Sequence, residues 1–300
     1  MKFYVLVSYN IRSFQKCIHY IPREDLVVVI NARFNEYLIP LEEYCDENDI
    51  TYHVTESDGT PATGKNSVLK LFLESGEDYM MMIDGDDFIT PYGVKYYKEL
   101  AQTPAPPDVV VLYKQSSVSH IDVDLYNLNT TADDLVNYEL TYPLDKSDPE
   151  LHKMSYDTLV TYFYKHYGVD MKTSKRWADA RLEFNDTMNL YSEDYEYMTR
   201  MVFFSRKAAE KMHFDNQLVI GEDTIQCLKL KRMWADNEIV MMRKNDSHRP
   251  TYIMNREQDG ICIAMQKRIH WNWLFPFLDK VKAIDLPPAN IPLPELVVDN

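Results

Sequence analysis

The chain has 300 residues, 45% apolar and 26% charged, which excludes a disordered segment and suffices for a large core without disulfide or metal staples. Eight glycines against 15 prolines, with no short-period repetition, exclude collagen-like and solenoid architectures. The 47 acidic and 32 basic residues leave a net charge of −15, which argues against nonspecific binding to nucleic acid or anionic membrane.

From the N-terminus, short apolar runs alternate with helical patterns. Phe3–Ser8, Leu26–Ile30, Tyr52–Thr55, Tyr79–Ile83 and Val109–Tyr113 each have the length of one strand. Near-continuous apolar strands predict a parallel sheet covered on both faces. Thr60-Pro61 sets an N-cap residue before a proline at the first helical position; Val68, Leu71 and Phe72 follow as a stripe that should stop near Gly76. Thr90-Pro91 repeats the device for a helix to about Ala101, ended by the prolines between 104 and 107. The alternation predicts an α/β fold.

The rhythm breaks over 116–197, an acidic, partly helical insertion with an aromatic helix at Tyr156–Tyr167. It returns with a strand at 198–205, a short helix from Arg206, a loop at 214–223 and a helix ending near Trp234. A last strand, Ile239–Met242, precedes a polar loop carrying His248, and four prolines from Pro287 onward predict an extended tail over 285–300. The expectation is one domain with an insertion.

Charge is uneven along the chain. Residues 116–199 carry 7 basic and 16 acidic side chains, whereas 200–270 carry 13 basic and 9 acidic ones. The second segment reads as a solvated face or as the receiver of an anionic ligand such as phosphate. Cys17, Cys45, Cys227 and Cys262 lie too far apart for a zinc motif and suit a reducing compartment. The opening MKFYVLVSYN turns polar too soon for a secretory segment, so a cytoplasmic protein is expected.

Asp84-Gly85-Asp86-Asp87 directly follows the apolar run YMMMI. Carboxylates crowded at the end of a buried strand repel one another unless a cation joins them, and oxygen ligands suit Mg²⁺ or Mn²⁺. Ligands of open α/β sheets bind at such strand ends. A competing motif is GTPATGK, Gly59 to Lys65, which fits the frame of a phosphate-binding P-loop of an NTPase or kinase. Asn66 replaces its magnesium-binding Ser/Thr, the preceding strand is polar, and Pro61 removes an N–H from the cradle.

Gly59 to Pro91, GTPATGKNSVLKLFLESGEDYMMMIDGDDFITP, resembles the central signature of family 2-type glycosyltransferases of the GT-A fold. Lys65-Asn66 stands where that family has Arg-Asn, and Asp84 to Asp87 fill its acidic motif. VLVSYN resembles its opening strand, and Phe214 to Asp223 (FDNQLVIGED) its acceptor-side segment. The resemblance implies a Rossmann-like, mostly parallel sheet flanked by helices, with 1–115 as the nucleotide-sugar half, 116–197 as the acceptor region and 198–284 as the acceptor and catalytic half. It implies a metal-dependent, inverting sugar transfer from a nucleotide diphosphate, UDP foremost, with Mn²⁺ or Mg²⁺ bound. Ser8, Tyr9, Asn10, Lys65, Asp84 and Gly85 would contact the donor, and Asp86, Asp87 and His248 the metal. Asp223, beside Glu222 at a helix start, would be the base. The family's acidic pair after the second strand is replaced by Asn31-Ala32-Arg33, which leaves Asn31 to bind base or ribose and Asp58 to supply the acid or cap a turn. Arg243, Lys244 and Arg249 would neutralise diphosphate. General likeness to sugar transferases of tailed phages implies hydroxymethylated cytosine in DNA as one acceptor, receiving glucose or arabinose; a glycan or small molecule is the other.

Overall fold

The computed structural model describes residues 1–113, 116–118, 154–190, 200–218, 220–247, 249–255, 274–286 and 291–296. The apolar runs become the strands β1 (Lys2–Val7), β2 (Leu26–Ile30), β3 (Tyr52–Val54), β4 (Tyr79–Asp84) and β6 (Val109–Tyr113). With β8 (Met201–Ser205) and β9 (Met241–Asn245) they form a sheet of order β3-β2-β1-β4-β8-β6-β9. Every neighbouring pair is parallel except the two made by β8, which runs antiparallel to both β4 and β6.

Alternate residues of each strand feed two cores. Tyr4, Leu6, Met80, Met82 and Phe204 face the helices α3 (Pro61–Ser75) and α8 (Glu222–Ala235). Phe3, Val5, Val7, Met81 and Phe203 face α1 (Ile11–Cys17), α2 (Asn35–Glu47) and α4 (Pro91–Leu100). Such strands, apolar on both sides, are what a covered parallel sheet requires.

Capping follows the sequence in part. Thr90 caps α4 by accepting from the Gly93 amide at 2.9 Å. Thr60 makes no such bond for α3; its hydroxyl donates instead to Asp58 Oδ1 at 2.7 Å.

A small second sheet of β5 (Phe88–Ile89), β10 (Tyr252–Asn255) and β7 (Ser116–Val118) closes over the end of β4. It is anchored at Gly93, where a Cβ would fall 2.2 Å from the Thr251 carbonyl oxygen. That carbonyl is fixed by the Thr90 amide at 3.1 Å, so it cannot yield. Gly93→Ala is expected to cost about 1–3 kcal/mol through overpacking, read as a lower urea midpoint at unchanged slope.

Between β7 and β8, α5 (Tyr156–Tyr167) ends at Gly168 and is followed by α6 (Met171–Leu190). Phe163 packs edge-on to Trp177 at 5.4 Å. Helix α6 docks on α9 (Leu274–Lys282) through Phe184 and Phe277, 5.5 Å apart. A one-turn helix, α7 (Arg206–Ala209), follows β8. Residues 291–296 run along the outer edge of β9, with the Arg243 amide donating to Pro294 and the Leu296 amide to Arg243. They cover an edge that would otherwise expose unpaired backbone groups. Among the described residues no helix is long and apolar enough to cross a membrane.

Candidate active site at the carboxyl edge of the sheet

The antiparallel register of β4 and β8 pairs Tyr79 with Ser205 and Met81 with Phe203. Continued three residues, the same register sets Arg200 beside Asp84. Its guanidinium bridges two carboxylates, Nη1 to Asp84 Oδ2 at 2.5 Å and Nη2 to Asp87 Oδ2 at 3.0 Å. The Tyr252 hydroxyl donates to Asp87 Oδ2 at 2.7 Å, and the Asn255 amide to Asp87 Oδ1 at 2.8 Å. Asp87 is only 2% exposed.

Asp87, expected as a metal ligand, is thus engaged by three protein donors, two on Oδ2 and one on Oδ1. Gly85 has a packing reason, since a Cβ there would lie 2.9 Å from the Leu6 carbonyl oxygen and 2.8 Å from Val7 Cβ.

Asp86 differs from its neighbours. It is partly exposed, and no described side chain pairs with it. Burial, then the charges of Asp87 and Asp84, push its carboxyl up to about 7. Burial also raises Asp87, to about 6, against the pull of Arg200. Asp84 is raised by burial too, but Arg200 and Lys65 outweigh it and hold the group below the usual carboxylate range. Three acids thus share one guanidinium, and the excess charge falls on the open one. Among the described residues no three His, Cys, Asp or Glu side chains form a ready-made metal cage. His248 lies outside the described residues.

Across the cleft, Gly221 takes a left-handed conformation, φ 85°, that opens α8. A Cβ there would lie 2.6 Å from the Phe277 ring, so the position has both a conformational and a steric need for glycine. Glu222 and Asp223 follow as the first two helical residues, where the dipole favours carboxylates. Lys65 Nζ binds both, Glu222 Oε1 at 2.8 Å and Asp223 Oδ1 at 2.6 Å. Glu222 is buried, whereas 32% of the Asp223 side chain is open. Burial alone would lower the Lys65 ammonium, but Asp223, Glu222 and Asp84 more than reverse this and keep it charged. Asp84 acts on Lys65 and Asp223 acts on Arg200, so the acidic strand end and the α8 start lie within electrostatic reach of each other.

The P-loop alternative fails here. Gly64 and Lys65 lie inside α3, not in a loop, and a Cβ on Gly64 would meet Leu6 Cδ1 at 2.5 Å. Gly64 therefore serves helix–strand contact, and the lysine that should grip phosphate is paired with two acids.

At the carboxyl end of β1, Ser8, Tyr9 and Asn10 are partly exposed. Asn10, at φ 51°, caps α1 by accepting from the Ser13 amide at 3.3 Å. Tyr9 stands edge-on to Tyr37 at 6.2 Å. Asp58 Oδ1 accepts from the Thr60 amide at 2.9 Å and from its hydroxyl, closing a turn; these bonds outweigh burial and lower its carboxyl.

Asn31 requires a correction. It is 4% exposed, accepts from the Thr55 hydroxyl at 2.6 Å and donates to the Thr60 carbonyl at 3.0 Å. Its amide clasps β2 to the approach of α3 and does not face a nucleotide. The basic trio also disperses. Lys244 is buried on Asp246 at 2.6 Å, Arg243 lies over the Tyr113 ring and near Glu295, and Arg249 stacks on Tyr92 at 3.8 Å. Among the described residues the cations paired with these acids are Lys65 and Arg200, and Arg200 and Tyr252 were missed. The signal for Arg200 was the pairing of β4 with β8.

No protein-family model matches this chain, and no curated protein does. Among solved structures, residues 1–349 of TarS from S. aureus in complex with UDP-GlcNAc align with a TM-score of 0.51 and 14% identity, covering 96% of this chain and 69% of that one. A longer structure of S. aureus TarS gives 0.48 and 15%, covering 93% of this chain and 43% of that one. The mannosyltransferase PcManGT from Pyrobaculum calidifontis, in complex with GDP-Man and Mn²⁺, gives 0.49 and 12%, with 96% and 66% covered. The chain spans 60% of another TarS 1–349 structure. With the sheet order above, the TM-score of 0.51 identifies the fold as GT-A, as expected from the sequence.

Proposed function

We propose that this chain is a nucleotide-sugar-dependent, inverting glycosyltransferase. The observation that carries the reading is the pairing of a partly exposed acid at a strand end, Asp86, with the Glu222–Asp223 pair that Lys65 holds at a helix start, Lys65 lying within electrostatic reach of Asp84. Asp223 takes the proton of an acceptor hydroxyl; the freed oxygen attacks the anomeric carbon as its bond to the diphosphate oxygen breaks. A nucleoside diphosphate, UDP in the favoured case, leaves with that electron pair. One displacement from the face opposite the leaving group inverts the anomeric centre. Ser8, Tyr9, Asn10 and Asp58 would line the nucleotide end, and the insertion at 116–197 the acceptor end.

The donor set fits a divalent ion in part: Asp86 and the Asp84 oxygen not bound by Arg200 would hold Mn²⁺ or Mg²⁺, a Lewis acid for a departing diphosphate. Arg200 meanwhile keeps Asp84 ionised and Asp87 fixed.

The test is thermal melting. Mn²⁺ with UDP or a nucleotide sugar is expected to raise Tm by several degrees at saturating ligand, and Asp86→Ala to remove the rise. Stabilisation by ATP alone, or by no nucleotide diphosphate at all, would overturn the reading. Acceptors are then screened in two arms, DNA carrying hydroxymethylcytosine read by nucleoside mass spectrometry, and neutral glycans read by intact mass.

A further inference from the structure

We infer that Lys65 is a positioning residue for the base, not a contact to the donor phosphates; the inference rests on the glycosyltransferase reading. Lys65 is 5% exposed, and its ammonium is enclosed by three partners. Glu222 Oε1 and Asp223 Oδ1 accept from it at 2.8 and 2.6 Å, and the Phe214 ring centre lies 5.5 Å away. An ammonium has three N–H bonds, and two already end on carboxylates. The third is left beside the Phe214 ring, 5.5 Å away, on a side chain only 5% exposed, so little of the ammonium is open to a phosphate.

The neighbouring residue shows that the contact is built. Asn66 Nδ2 donates to the Phe214 carbonyl at 2.8 Å and to Asn216 Oδ1 at 3.1 Å, and its Oδ1 accepts from the Phe214 amide at 2.9 Å. Two consecutive residues of α3 therefore hold both ends of the segment that leads into α8. On its far side, Phe277 of α9 packs against Gly221, and Lys280 binds Asp215 at 2.6 Å. The Asp223 carboxylate has one oxygen fixed by Lys65 and the other without a partner among the described residues. A base held by one oxygen keeps its orientation between turnovers, which a freely rotating carboxylate does not.

Lys65→Met and Lys65→Arg, compared with the unaltered chain, separate the roles. Calorimetry with UDP and Mn²⁺ is expected to give a Kd within threefold of the parent for both variants. At saturating donor, kcat of Lys65→Met should fall at least thirtyfold with the donor KM little changed, and Lys65→Arg should regain a substantial part. Removing the ammonium strands buried Glu222, so Lys65→Met with Glu222→Gln serves as the folded control if the single variant melts early. A tenfold weaker Kd with kcat preserved would make Lys65 a phosphate contact. Unchanged kcat in both the single and the double variant would also overturn the inference while leaving the glycosyltransferase reading intact. A parent chain that neither binds UDP nor transfers sugar overturns both.

Discussion

Arg200→Met is expected to destabilise the fold by about 3–5 kcal/mol, more than any other single change in the cleft. The guanidinium is the shared counter-ion of Asp84 and Asp87, and it lies over the Tyr252 ring at 5.1 Å. Methionine keeps much of the stem's packing but leaves both acids without a directly bonded cation. The effect should depend on pH, with the metal removed by chelation. Asp87 is raised by burial to about 6, and Asp86 to about 7. A carboxyl whose folded pKa lies above its unfolded one favours the folded state most below the unfolded value, and this contribution is lost as pH rises through the folded pKa. Without Arg200 these acids can relieve their repulsion only by binding protons. The deficit of Arg200→Met should therefore be larger at pH 8 than at pH 5.5, as measured by urea denaturation at both. An equal, small loss at the two values would mean that solvent already screens the three acids.

What the sequence disclosed and what it withheld divide along the range of the interactions. Runs such as LVVVI and YMMMI were legible as strands because short segments apolar on both faces suit a covered parallel sheet. Helix α2 escaped notice because Pro40 interrupts its pattern, although the helix continues through it. Strand β10 was missed because its partners are residues 88–89 and 116–118, far away in the chain. The site shows the same division. The acidic run and the Gly-Glu-Asp sequence are local and were legible. Their partners, Lys65 for one and Arg200 for the other, come from pairings 158 and 116 residues apart. Asn31 was misread because a strand-end amide looks like a ligand group until Thr55 and Thr60 are seen to occupy it. Lys244 was misread for a like reason, since its buried partner Asp246 is two residues on but points inward only once the loop has folded around it.

Asp223→Asn is expected to lower sugar transfer by about 10²–10⁴-fold while leaving nucleotide binding and melting temperature close to those of the parent. The substitution is nearly isosteric, and the amide oxygen can still accept from Lys65, so the α8 start should hold its place. What is lost is the capacity to receive a proton. Glu222→Gln provides the contrast, because Glu222 is buried and Lys65 already binds one of its oxygens. Its loss should act through the shared lysine, giving a smaller fall in kcat than Asp223→Asn. Product stereochemistry supplies an independent measurement. If Asp223 deprotonates the acceptor for a single displacement, an α-linked donor gives a β-linked product by NMR of the anomeric proton. Transfer within tenfold of the parent by Asp223→Asn, or retention at the anomeric carbon, would require a different group to meet the acceptor or the sugar, and the cleft between Asp86 and α8 would need another chemistry.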